Sequence, residues 1–209
     1  MKRVQKALAK ALRNPAASSA EPAILLIGLR NPGARYAGTR HNIGADAIQV
    51  VADRLGASFR SAPKAIPAVT ADGRFGDVRV RLAMPTTFMN ESGQAVGPLL
   101  RYFDPPSFIV AHDDIDLAFG AMRVHFGRGS GGHNGIKSMV GSGGSAEFWR
   151  LRVGVGRPPG RMDPADFVLH RFDDSEDSEI LIQEAADVLV AFATGGEEAA
   201  RQAAGVRDS

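Results

Sequence analysis

The chain has 209 residues, 44% hydrophobic and 23% charged, a composition that supports one sizeable core and excludes a chain too polar to fold. It has no cysteine, which rules out disulfides, thiolate nucleophiles and Cys-type zinc sites, and no apolar run approaches the roughly 18 residues of a membrane-spanning helix. The net charge of +2 is uneven: +5 over residues 1–20, +5 over 21–160 and −8 over 161–209, so a positive body suited to an anionic partner ends in an acidic stretch.

Residues 1–22 read as a basic extension, expected to be disordered, with Leu8 and Leu12 on one possible helical face and Asn14-Pro15 ending it. It lacks the long apolar region of a secretory signal but has the basic, acid-free character of an organellar transit peptide up to Ala20. Residues 23–29 are an apolar run expected to form a buried strand, and Ile43, Ala47, Val50, Val51 and Leu55 mark one face of a helix over about 42–56. Between them, residues 31–44 form a polar connection on a rigid base. Asn31-Pro32-Gly33 suits a tight turn, and His41 falls at or just before the helix N-terminus, where the dipole disfavours imidazolium.

Strands follow at 65–71 and 77–83, with a hairpin turn expected over Gly73–Gly76. Residues 84–90 lead into a helix carrying Val96, Leu99, Leu100 and Phe103. Asn90 reads as its N-cap, and Pro98 is expected to kink the helix or delay its start. Apolar strands at 107–111 and 121–126 end in His112-Asp113-Asp114-Ile115-Asp116 and in the glycine-rich run 127–135, the latter opening a short helix near 136–140. In the strand 148–155, Leu151, Val153 and Val155 share one face and Arg150 and Arg152 the other. Helices are expected near 175–193 and 197–204. Alternating strands and helices predict an α/β fold: a single domain with a mixed β-sheet flanked by helices on both faces.

Several motifs fail. Arg30 and Pro32 spoil Gly28–Gly33 as a dinucleotide fingerprint, and there is neither a P-loop nor a G-x-S-x-G elbow. His112, Asp113, Asp116 and His133 could form a hard-metal site, but their spacing matches no standard pattern. What remains is four polar clusters at element ends: 31–42, 86–90, 112–116 and 133–134. Turns that follow parallel strands gather at the carboxyl edge of a sheet, where ligands bind. If these converge, they supply a helix-start histidine, a carboxylate to orient it and several carboxamides that read amides, with water as the nucleophile.

Five blocks carry a resemblance, in order and in register. They are Gly28-Leu29-Arg30-Asn31-Pro32-Gly33 with Tyr36 and residues 39–44; Pro85–Asn90 with Ser92-Gly93; His112–Leu117; Gly129–Gly135; and Arg150–Pro158. Together they resemble the bacterial-type peptidyl-tRNA hydrolases over about residues 24–204. The resemblance implies cleavage of the ester between a peptide and the 3′ end of tRNA, recycling stalled peptidyl-tRNA. It implies His41 as general base, Asp113 orienting it and Asn31 placing water and peptide. It further implies that Asn90 and Asn134 bind peptide amides, that Tyr36, Phe88 and Met89 line the cleft near the tRNA terminus, and that Arg152 holds tRNA phosphate. It implies a cytoplasmic monomer with no metal, no organic cofactor and no stable protein partner, or an organellar enzyme if residues 1–20 are a transit peptide. The expected domain is 23–204, with 205–209 a tail. Three positions depart from the family pattern: Arg30 for a small residue, Arg128 within a glycine run and His125 for a phosphate-binding lysine. The rival readings are a metal-dependent hydrolase built on His112, Asp113, Asp116 and His133, and a non-catalytic tRNA- or ribosome-binding relative.

Overall fold

The computed structural model describes residues 22–127, 129–142 and 145–205; the basic extension before Pro22, Arg128 and residues 206–209 lie outside the described residues. Seven strands form one sheet: β1 (Ile24–Gly28), β2 (Arg60–Ser61), β3 (Ala68–Phe75), β4 (Val78–Pro85), β5 (Phe108–Asp114), β6 (Met122–Phe126) and β7 (Trp149–Gly154). Their order is β2-β3-β4-β1-β5-β7-β6. The four central strands run parallel, whereas β2, β3 and β6 pair antiparallel at the edges.

Helices cover both faces, as the alternating pattern predicts. On one face, α1 (Ile43–Arg54) and α5 (Ser178–Gly205) pack over Leu26, Leu82, Ile109, Ala111, Leu151 and Val153. On the other, α2 (Ser92–Phe103) and α3 (Asn134–Gly141) pack over Leu25, Ile27, Ala83 and Val110. Neighbouring positions of one strand thus enter different cores, the period-2 signature of a sheet buried on both faces. A fifth helix, α4 (Pro164–Phe167), is a single turn. Among the described residues, no helix is long and apolar enough to cross a membrane.

Three local expectations change. β3 runs through Gly73, and the hairpin closes at Gly76-Asp77, with Phe75 opposite Val78 and Gly76 at φ 56° in the first turn position. Asn90 does not cap α2. It lies in a 3-10 turn (Met89–Glu91) closed by Glu91 N–H on the Phe88 carbonyl, so its side chain is released to solvent. Pro98 sits inside α2 without interrupting it; Gly97 before it has no Cβ to meet the proline ring. By contrast, the two predicted C-terminal helices are both present within α5, parted at Gly196 (φ 75°, ψ −162°) as expected.

The placement of α1 rests on two close approaches. A Cβ on Gly28 would fall 2.3 Å from the Gly44 carbonyl oxygen, and one on Gly44 would fall 2.2 Å from the Ala111 carbonyl oxygen. Only glycine at both positions lets the first turn of α1 rest directly on β1 and β5. That contact brings His41, just ahead of α1, over the end of β5.

Candidate active site

The carboxyl ends of β1, β4 and β5 open into a cleft of about 600 Å³. Asn31, Tyr36, His41, Phe88, Met89, Asn90, Asp113 and Asn134 all line it, so eight of the nine site residues expected from sequence meet in one place. Arg152 is the ninth and lies outside.

At the floor, His41 Nδ1 stands 2.8 Å from Asp113 Oδ1, and both residues are buried. His133 Nε2 stands 3.0 Å from the same oxygen. Asp113 reaches this position because β5 alternates: Ile109, Ala111 and Asp113 face the α1 side, and Val110, His112 and Asp114 the other. Burial alone would raise the Asp113 carboxyl; the charges and hydrogen bonds of His133 and His41 outweigh it and hold the carboxyl well below its ordinary range. An ionised Asp113 accepts, so neutral His41 carries its proton on Nδ1. Its Nε2 is then a bare lone pair with no protein partner among the described residues.

Asn31 is fixed from three directions. Its backbone N–H donates to Asn42 Oδ1 (2.8 Å), and Asn42 Nδ2 donates back to its carbonyl (3.0 Å). Its own Oδ1 accepts from Met89 N–H (2.9 Å). With the amide oxygen engaged, the group Asn31 presents to the cleft is its Nδ2 donor. Asn90 and Asn134 are exposed carboxamides that line the cleft from two segments packed against each other, the Met89–Glu91 turn and the start of α3. Tyr36 and Phe88 meet edge-to-face (6.4 Å), with Phe88 half-exposed.

The facing wall comprises Asp163, Pro164, Ala165, Val168 and Leu169, none of them singled out from sequence. The signal was present in Asp163-Pro164, an N-cap followed by proline at the first helical position; Asp163 Oδ1 accepts from Ala165 N–H. Arg40 ties this wall to the histidine. The guanidinium is fully buried, lies over the Phe167 ring (4.2 Å), donates to the Arg171 carbonyl (2.6 Å) and pairs with Asp173 and Glu176. The backbone N–H of His41 itself donates to the Val168 carbonyl (2.8 Å).

The metal set expected as a rival does not assemble. Asp116 pairs with Arg157, and His112 turns Nδ1 to the Asp113 carbonyl (2.7 Å); burial, then the neighbouring His133, keeps its imidazole neutral. A different trio, His41, Asp113 and His133, brings candidate ligand atoms within 4.8 Å of one another. Within this trio His41 Nδ1 is engaged by Asp113, and both ring nitrogens of His133 are engaged, one by Asp113 and one by the Gly135 N–H.

Arg152 lies on the α3-side face of the sheet, where its Nε donates to Asp114 Oδ2. Its two Nη groups have no protein partner among the described residues. Arg123 and His125 of β6 share this face. Arg150 beside them is buried and donates to the Gly129 carbonyl (2.6 Å).

A family model described as "Peptidyl-tRNA hydrolase" matches residues 25–208. The chain belongs to this family. The peptidyl-tRNA hydrolase of Mycobacterium tuberculosis is 46% identical over 186 residues, covering 87% of this chain and 96% of that protein. The Mycolicibacterium smegmatis enzyme is 44% identical with the same coverage. The crystal structure of Acinetobacter baumannii peptidyl-tRNA hydrolase superposes with a TM-score of 0.80 at 32% identity, covering 90% of this chain and 97% of that one.

Arg30, a departure from the family pattern, donates from Nε to the Pro85 carbonyl (3.0 Å) and faces Asp46. Asp46 is mostly buried, with Oδ2 unbonded; burial raises its carboxyl to about 6, against a smaller opposing pull from Arg30. A raised acid destabilises the fold where it is ionised, so the penalty is full above about pH 6 and vanishes below about pH 4. Asp46→Asn is therefore expected to stabilise the protein by about 1–3 kcal/mol at pH 8 and to change little at pH 4. Thermal melts at the two pH values measure this; equal shifts at both would contradict it.

Proposed function

We propose that this protein hydrolyses the ester joining a peptide to the 3′-terminal ribose of tRNA, using water activated by His41. The observation that carries this reading is the His41–Asp113 pair with its free Nε2 on the floor of the cleft. A water bonded to Nε2 attacks the ester carbonyl as its proton passes to the ring, and ionised Asp113 stabilises the imidazolium. The Nδ2 donor of Asn31 is suited to the oxygen that becomes negative in the tetrahedral intermediate. Collapse of the intermediate expels the ribose hydroxyl oxygen, which takes the proton back from His41.

Asn90 and Asn134 each offer an NH₂ donor group and a carbonyl acceptor, the complement of a peptide unit and indifferent to side-chain identity. Tyr36 and Phe88 supply apolar surface for the tRNA terminus, while Met89 lines the cleft but is buried in the core on the α2–α3 side. The protein acts as a monomer with no metal or organic cofactor in this reading. The test is release of acylated amino acid from purified N-acetyl-aminoacyl-tRNA, with and without EDTA. Turnover unaffected by the chelator is expected. No turnover would reject the function, and loss on chelation restored by a stoichiometric divalent ion would favour a metallohydrolase.

Arg152 is proposed to contact phosphate. With Nε on Asp114, its two Nη donors keep a fork for an anion. Arg152→Ala is expected to weaken tRNA binding and to flatten the slope of log K against log salt by about 0.7–0.9. Because Asp114 lines the cleft and loses its partner, Arg152→Ala/Asp114→Asn is the control. In that double variant an acylated 3′-adenosine should be cleaved at the parental rate. Equal damage to minimal and full-length substrates would show that Arg152 supports the site rather than the tRNA.

A further inference from the structure

We propose that His133 is a positioning residue for the hydrolysis: held as an Nε2–H donor by the N-terminus of α3, it pins the Asp113 oxygen that orients His41. The inference rests on the reading of His41 as the general base.

His133 occupies the N-cap of α3 and uses its ring, not a short polar side chain, as the cap. Nδ1 accepts from Gly135 N–H (3.1 Å) and Ile136 N–H (3.3 Å). A nitrogen that accepts two backbone donors carries no proton, so the neutral ring must hold its proton on Nε2. That nitrogen stands 3.0 Å from Asp113 Oδ1. The ring has no room to turn. It is buried, packs on His41 (4.8 Å between centroids) and His112 (4.6 Å), and lies over Gly135, where a Cβ would come within 3.0 Å of its Cε1. The helix start therefore dictates a tautomer, the tautomer dictates a donor, and the donor fixes one carboxylate oxygen.

Two consequences follow for His41. Oδ1 cannot swing away from His41 Nδ1, since a second donor holds it. The negative charge on Oδ1 is also shared between two N–H groups, which lowers its pull on the imidazolium that forms during reaction. The other charged or titratable groups facing this trio are His112 beneath it, Arg150 behind His112, the Asp114–Arg152 pair beside β5 and Asp163 on the far wall.

His133→Asn separates the two duties of the residue. Asparagine is among the best N-caps, so α3 keeps its start, but its side chain is too short to cap the helix and also reach Asp113. The expected result is a melting temperature close to the parent, kcat for N-acetyl-aminoacyl-tRNA lowered about 10- to 100-fold at unchanged KM, and the acid limb of the kcat profile moved to higher pH. The sign follows because Asp113, relieved of one donor, stabilises protonated His41 more strongly. His133→Ala, which loses the cap as well, should lower the melting temperature. A His133→Asn protein with parental kcat and acid limb would reduce His133 to a helix cap and overturn the proposal. Should this variant not fold, ¹⁵N spectra of the parent imidazoles decide: the proposal requires neutral His133 protonated at Nε2 and His41 at Nδ1, and a proton on His133 Nδ1 would overturn it. Full activity in His41→Ala would instead remove the general-base reading itself, an outcome distinct from failure of the His133 test alone.

Discussion

Replacing His41 by alanine is expected to lower turnover of an N-acylated aminoacyl-tRNA by about 10²- to 10⁴-fold, the range that a positioned general base supplies. The loss should fall on kcat. The rims that would hold substrate, Asn90 and Asn134, do not lean on the imidazole, and Asn31 is anchored by Asn42 and Met89. Asp113 keeps His133 as a donor, so removal of the ring does not leave a buried carboxylate unpaired. The space vacated opens onto the cleft, which allows a further test: free imidazole should restore part of the rate. Turnover within about threefold of the parent at neutral pH would be incompatible with a general base, given that range.

Asp113→Asn is expected to cost less, about 10²-fold, for a reason visible in the geometry. In a triad, replacing the aspartate by asparagine can present an N–H to the histidine and force the wrong tautomer, at a cost of about 10⁴. Here both imidazoles donate to a single oxygen, Oδ1. An amide can place its own oxygen there and turn its NH₂ to the Oδ2 side, so both tautomers survive. What disappears is the charge that stabilises the imidazolium. The base should then protonate at lower pH, moving the acid limb of the rate profile downward, opposite in direction to His133→Asn. Stability also depends on this carboxyl. Its folded value is depressed, so its contribution is present above about pH 4, the unfolded carboxyl range, and drains away as pH falls further. Asp113→Asn should abolish that part of the acid sensitivity. An unchanged pH–rate profile and rate would dissolve the His41–Asp113 partnership.

Most of the residues legible in the sequence lie at or after strand ends, Asn134 and Arg152 being the exceptions. Asn31, His41, Asn90 and Asp113 follow or end strands whose apolar runs are easy to recognise, and parallel pairing carries such ends to one edge. The missed partnerships are those that cross the chain. Asp113 and Asp114 are adjacent, yet one faces His41 and the other Arg152. Strand parity separates them once Ile109 and Ala111 are placed on the α1 face. Arg40 sits within a polar motif, and its carboxylate partners lie more than 130 positions away. Asn90 looked like a helix cap because local propensity favours it there, but the 3-10 turn satisfied the chain without it. His133 stood in a glycine-rich run, and nothing local announces its contact with Asp113.

β6 runs antiparallel to β7, so Phe126 finishes beside Trp149, at the opposite end of the sheet from the cleft. Phe126 and His133 thus lie toward opposite ends of the sheet, although only seven positions separate them. The cleft therefore closes only when a late segment of the polypeptide returns to an early one, with 72 positions separating His41 from Asp113 and a further 20 to His133. Such loops are closed at an entropic cost that precedes any reward, which places the protein among the slower topologies to fold. A polypeptide growing from its N-terminus holds His41 long before it holds the group that orients it. On the proposed roles, any fragment ending before β5 is expected to be inactive, however well its first strand and helix have formed.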